Sequence, residues 1–227
     1  MSTLLLRLAA PLQSWGVGSK YDIRTTEREP TKSGVLGMLA AALGIRRDDA
    51  ESIKALSSLR FGVRVDREGK LLHDYHIARA EKNSYVTHRY YLSDAVFLCG
   101  LESEDMQALN GYEYALKHPV YPLFLGRRSC PPTLPLVLGV REGDLETALI
   151  NYPKLAPTND ASRIVIDSEA TDKGAALMKD VPVSYSPFKR EFSFRKYREA
   201  IIPGMEQTEH DPFAELEAEY VFDKNGA

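Results

Sequence analysis

The sequence predicts an α+β fold in which a β-α-β unit precedes a hairpin and a second β-α-β unit follows it. Three observations carry that expectation: apolar runs of strand length, helical spacing framed by capping and stop signals, and a central stretch dense in aromatic residues without an apolar stripe. The chain has 227 residues, 44% hydrophobic and 27% charged, an ordinary balance for a globular protein able to bury a core.

The elements follow in order. Residues 3–9 (TLLLRLA) read as a buried strand ended by Pro11. This start lacks the basic region and long apolar region of a signal peptide, and the longest apolar run, 35–45, holds two glycines and is too short to span a bilayer. The stretch 13–30 is a polar loop with Gly16 and Gly18. In PTKSGVLGMLAAALGI, Thr31 or Ser33 can cap a helix, Val35, Leu36, Leu39 and Leu43 recur at helical spacing, and Gly44 stops it. Residues 59–66 (LRFGVRVD) alternate as a half-buried strand does, with Arg60, Arg64 and Asp66 on one face. After the irregular 71–93 stretch comes a buried strand over 94–101. A helix follows, capped by Ser103, with Met106, Leu109 and Leu116 inward and Pro119 at its end. A strand over 134–140 and a short helix over 144–152 complete the second unit. Residues 153–180 are polar and read as a flexible insertion, and the basic-aromatic run 188–202 reads as a strand or hairpin arm. Together this is the ferredoxin-like pattern with an insertion, a fold shared by RNA-recognition modules and unrelated enzymes.

Net charge is −3, yet residues 205–227 hold seven acidic side chains against Lys224, a local −6 that leaves +3 on residues 1–204. An acidic tail therefore hides a modestly basic body, and the positions of the cations decide more than their sum. Cys99 and Cys130 set no disulfide framework, and no Cys/His cluster of zinc spacing exists, so neither a metal nor a cofactor is expected in this reduced, cytoplasmic chain.

LGRRSCPP (125–132) is the most informative stretch. Gly126 permits a tight turn or a close approach, and Arg127 and Arg128 offer guanidinium forks matched to phosphate. The alternative is a solvated turn whose arginines pair with surface carboxylates. Residues 74–95 interleave Tyr75, His76, Arg79, Lys82, Tyr85, His88, Arg89, Tyr90 and Tyr91. Rings stack on unpaired bases while arginines hold phosphates; alternatively, Tyr75 and Tyr91 are half-buried sheet residues beneath a wet hairpin face. PTKSG places Lys32 and free amides at a helix N-terminus, which favours an anion. Gly34 and Gly37 match neither a GxGxxG nor a Walker pattern and point to close helix–sheet packing. Trp15 is either a core plug or a stacking platform. No GxSxG, HExxH or paired-carboxylate signature occurs. Lys117 and His118 with a nearby tyrosine could cleave RNA by acid–base chemistry, but a helix C-terminus favours such cations on its own.

Taken in order, LRLAAPLQSWG, PTKSGVLGMLAAALGIRRDD, DYH, HRYYLSDAVF and YPLFLGRRSCPPTLPLVLG resemble the CasD family, the Cas5-type subunit of type I-E CRISPR Cascade. The match runs from residue 4 to about 152, with weaker similarity in FKREFSFRKYR. The resemblance implies a RAMP (RRM-like) domain over 1–152 with a β-hairpin thumb near 71–93, a small C-terminal β extension over 153–204, and the acidic tail beyond. It implies binding of the repeat-derived 5′ handle of CRISPR RNA, contacts with the CasC backbone and the large CasA subunit, and target DNA met through the assembled complex, away from any membrane. By position it carries the handle-binding role to Gln13, Trp15, Lys32, Ser33, His88, Arg89, Tyr90, Gly126, Arg127, Arg128 and Ser129. Catalysis is not implied, because a separate CasE subunit cuts the repeat. Two other readings stand beside it: a repeat endoribonuclease of the type I-C kind, using Lys117 and His118, and a module that binds acidic proteins rather than RNA.

Overall fold

The computed structural model describes residues 1–17, 22–79, 84–156, 161–168, 172, 174–186 and 188–203. The acidic tail expected over 205–227 lies outside the described residues, as does Lys82. The chain runs β1 (Ser2–Ala9), β2 (Leu12–Gln13), β3 (Ile23–Arg24), α1 (Lys32–Leu43), α2 (Ala50–Ser57), β4 (Arg60–Arg67), β5 (Lys70–Arg79), β6 (Ser84–Ser93), β7 (Val96–Ser103), α3 (Met106–Lys117), β8 (Val137–Glu142), α4 (Leu145–Asn151), β9 (Ser162–Asp167), β10 (Ala176–Tyr185) and β11 (Arg190–Ile202).

Within the seven-stranded sheet, ordered β10-β11-β9-β4-β7-β1-β8, the four strands β4-β7-β1-β8 pair antiparallel. With α1 after β1 and α3 after β7, this is the ferredoxin-like arrangement. Strand alternation builds a layer on each side. Leu4, Leu6 and Leu8 of β1, Phe61, Val63 and Val65 of β4, and Phe97, Cys99 and Leu101 of β7 meet Val35, Leu36 and Leu39 of α1 and Leu109 and Leu116 of α3. On the opposite face Leu5, Leu98, Ile164 and Ile166 meet Leu145 and Leu149 of α4.

Helix α1 and its stop behave as their sequence suggests: Thr31 is the N-cap, accepting from the Gly34 amide at 3.2 Å, and Gly44 ends the helix in the left-handed region. The N-cap of α3 is Asp105 and not Ser103, whose hydroxyl instead accepts from the Asp105 amide, so the helix starts later than expected and Met106 points to solvent. β4 is buried on both faces, not one, because α4 covers the side that carries Arg64 and Asp66. Arg64 donates to Asp66 and to the carbonyls of Leu149, Tyr152 and Pro153, closing the end of α4. β8 begins at Val137, past Pro135, which has no amide to donate. Helix α2, capped by Asp49, lies in a segment to which the sequence reading assigns no element.

The largest departure concerns 153–180. Far from a flexible insertion, it contains β9, paired to β4, and the first half of β10, with Ile164, Val165 and Ile166 buried. Its charges mislead because they find partners inside the protein. Asp167 accepts from Lys32 Nζ at 2.9 Å, Arg195 at 2.8 Å and the Phe61 amide at 3.0 Å. Asp180 accepts from Arg195 Nε at 2.7 Å and from the Lys32 amide at 2.8 Å. Two cations and two carboxylates thereby tie β9, β10 and β11 to the start of α1. Cys99 and Cys130 are both free and buried, and burial pushes both thiols up from their usual range.

Candidate nucleic-acid interface

β5 and β6 form an antiparallel hairpin, and its other edge accepts β2 and β3, which tether it to the body of the protein. Register divides its side chains into two faces. One carries His73 opposite Tyr90 and Tyr75 opposite His88. There the His73 and Tyr90 rings lie 4.6 Å apart and nearly parallel, His73 Nε2 stands 2.9 Å from His88 Nδ1, and Tyr75 meets His88 edge-on at 5.6 Å. Exposed Ile23, Leu71, Ile77 and Val86 extend this face. The result is a strip of rings and aliphatic groups on a projecting hairpin, with Tyr75 open to solvent.

The other face carries Arg89 and Tyr91, and it joins the 125–130 loop. Leu125 donates to the Cys130 carbonyl at 2.7 Å and Cys130 to the Arg127 carbonyl at 2.9 Å, so the loop closes on itself. It is pinned to the N-terminal segment by the Ser14 amide donating to the Leu125 carbonyl at 3.2 Å. Gly126 has φ +84°, and a Cβ there would sit 1.6 Å from the Ser14 carbonyl oxygen. No other residue fits that position with the loop in place. The Arg127 guanidinium lies 4.6 Å from the centre of the Tyr91 ring and donates to the Arg24 carbonyl of β3 at 2.8 Å. Arg128 and Ser129 are exposed beside it.

The tryptophan is a core plug: Trp15 is buried, its indole donates to Gln13, and it packs so closely on α1 that a Cβ on Gly34 would stand 2.8 Å from the ring. A Cβ on Gly37 would stand 3.4 Å from Tyr185 of β10, an ordinary contact. Gln13 is buried and donates to the Ala95 carbonyl at 2.8 Å. The anion at the N-terminus of α1 is the protein's own Asp180, Lys32 is held by Asp167, and the Ser33 carbonyl accepts from Tyr185. Thus of the eleven residues singled out by sequence, Arg89, Gly126, Arg127, Arg128 and Ser129 lie on the loop side of the hairpin, and His88 and Tyr90 on its opposite face. Gln13, Trp15, Lys32 and Ser33 are interior, with Ser14 bridging the two groups by donating to the Tyr90 carbonyl at 3.2 Å. Sequence reasoning misses His73, Ser14 and the joining role of Tyr91; period-two parity along β6, which puts 88 and 90 opposite 89 and 91, is the signal that separates the faces.

Lys117 and His118 lie elsewhere, at the end of α3. The Lys117 ammonium is held by Glu113 at 2.6 Å, while His118 stacks on Tyr114 at 4.3 Å and faces its carbonyl at 3.1 Å through Nδ1. Among the described residues, no group of three or more His, Cys, Asp or Glu side chains can hold a metal, and no helix is long and apolar enough to cross a membrane.

Comparisons with known proteins converge. Residues 3–198 match the model of the family described as CRISPR-associated protein (Cas_Cas5). CRISPR system Cascade subunit CasD of Escherichia coli (strain K12) is 41% identical over 172 residues, covering 66% of this chain and 77% of that protein. Among solved structures, one described as the crystal structure of a Cas protein superposes with a TM-score of 0.71 at 40% identity, over 89% of this chain and 95% of the other. A chain of a CRISPR RNA-guided surveillance complex superposes with a TM-score of 0.76 at 29% identity, over 95% of this chain and 98% of the other.

Proposed function

The chain belongs to the Cas5 family of CRISPR-associated proteins, and from that premise we propose that it is the non-catalytic subunit of a Cascade surveillance complex that grips the repeat-derived 5′ handle of the CRISPR RNA. The observation that carries this reading is the joining of two chemistries at one place. The 125–130 loop, with Arg127 and Arg128, packs through Arg127 on Tyr91 of a hairpin whose other face is a strip of rings. Guanidinium groups suit phosphates, and a base stacked on an aromatic ring is worth about 1–3 kcal/mol. Single-stranded RNA that passes round the hairpin from one face to the other meets both.

On this reading Arg127, Arg128, Ser129 and the Gly126 backbone hold phosphates, Arg89 adds a third cation, and His88 and Tyr90 stack bases. Gln13, Trp15, Lys32 and Ser33 act from behind, fixing the segment 13–15 and the start of α1 against which loop and hairpin lean. Partners in the same complex are the CasC backbone and the CasA large subunit, with target DNA met through the assembly in the cytoplasm. Cleavage is no part of the proposed role: the Lys117–Glu113 pair and the contact of His118 with the Tyr114 carbonyl are those a helix C-terminus makes on its own.

Replacing Arg127 and Arg128 together by alanine is the direct test. Handle affinity is expected to fall, and the slope of log affinity against log salt to shrink by about 0.7 for every phosphate no longer held, the value for single strands. An unchanged slope with folded protein would remove the phosphate role from this loop.

A further inference from the structure

His73 is bonded to a second histidine in its own plane. Its Nε2 stands 2.9 Å from His88 Nδ1, and the two ring centres lie 5.1 Å apart with 17° between their planes. That bond and the short radius from each ring centre to its nitrogen account for nearly the whole 5.1 Å. Almost nothing is left for an offset between the planes, so the imidazoles lie edge to edge and not one above the other. One nitrogen donates and the other accepts, as between the two halves of a base pair. The joined pair is therefore one flat surface, wider than either ring alone.

Its supports are built into the hairpin. Tyr90, directly across from His73 in register, backs that ring at 4.6 Å and 12°. Tyr75 meets His88 edge-on at 5.6 Å. The His88 amide donates to the Asp22 carbonyl at 2.8 Å and Ile23 pairs beside it, so β3 fixes the stretch of β6 that carries this histidine. Tyr90 covers one face of His73 and His88 takes one edge, yet His73 remains exposed, which leaves its other face open. A single unpaired base stacks on such a surface, and holding the rings in place beforehand spares the entropy of ordering them.

We propose that His73 and His88 together form one stacking platform for one base of the guide strand. This rests on the handle-binding role above and goes beyond it. It brings in His73, gives that ring the face toward the base with Tyr90 behind it, and makes the two histidines a single site.

The probe is an end-labelled RNA copied from the handle, together with versions in which one nucleotide at a time is abasic and keeps its sugar and phosphate. Wild-type protein is expected to lose about tenfold in affinity when one particular base is missing. His73→Ala is expected to bind the complete RNA about tenfold more weakly, to be indifferent to the loss of that base, and to melt as wild type does. His88→Ala is expected to be indifferent at the same base, and the double variant to bind no more weakly than either single one, as residues acting as a unit do. His73→Gln, which keeps a hydrogen-bonding group and has no ring, is expected to behave as His73→Ala and serves if that variant does not fold. A merely structural role for His73 would weaken binding to all the RNAs alike and leave the sensitive base in place. If a single variant keeps the wild-type sensitivity at that base, if the two lose it at different bases, or if wild-type protein tolerates the loss of every base, the joined platform is overturned and handle binding stands. If wild-type protein shows no preference for the handle, both fall together.

Discussion

Asp180→Ala is expected to destabilise the protein by about 3–5 kcal/mol, the usual consequence of removing one partner from a buried ion pair. Asp180 is fully buried and receives two donors from the Arg195 guanidinium and one from the Lys32 amide. Without it Arg195 keeps, among the described residues, only Asp167 as a carboxylate partner, and the first turn of α1 loses the acceptor at its amide end. In a chain of this size the loss corresponds to a fall in melting temperature of roughly 6–20 °C. Denaturant unfolding measures it, and a change below about 1 kcal/mol, as for an exposed pair, would show that the network is not the clamp between α1 and the last three strands. Asp180→Asn, which keeps an acceptor and loses the charge, is expected to fall between the two.

Gly126→Ala acts by a different route. Its φ of +84° disfavours any side chain by about 1–2 kcal/mol, and the added Cβ would overlap the Ser14 carbonyl oxygen. Backbone cannot yield as a side chain can, so the loop must leave its seat. The bond from the Ser14 amide to the Leu125 carbonyl goes with it, and so does the packing of Arg127 on Tyr91. Leu125 and Cys130 are the loop's only residues in the core, so most of that core survives. The expected result is a folded protein, about 2 kcal/mol less stable, that binds handle RNA at least about tenfold more weakly. Wild-type affinity in Gly126→Ala would mean that the loop's position does not matter to the RNA.

How much of this the sequence discloses depends on whether a residue's partners are close along the chain. Thr31, Gly44 and the period-two leucines of β1 act through neighbours, so α1 and β1 are legible. The ferredoxin-like order follows from them. The 125–130 loop is legible for the same reason, since Gly126 and two arginines are adjacent. Asp167, Asp180 and Arg195 are not. Each looks like a solvated charge until β9, β10 and β11 bring them onto Lys32, 135 residues from Asp167 and 148 from Asp180. That distance also explains why Lys32 and Ser33 read as a vacant anion site when the anion is supplied internally. Trp15 leaves two readings open in the sequence because nothing local reveals that Gly34 makes room for its ring. Tyr91 reads as an ordinary sheet residue, and its meeting with Arg127 depends on a loop far along the chain.

The most direct measurement titrates purified protein with labelled repeat RNA, with and without the mature 5′ handle, and runs the same mixtures on a cleavage gel without metal. The handle-binding account predicts tight, salt-dependent binding that requires the handle, with the RNA intact after incubation. Equal binding to RNA without the handle, or a single specific cut that is lost in His118→Ala, would contradict it.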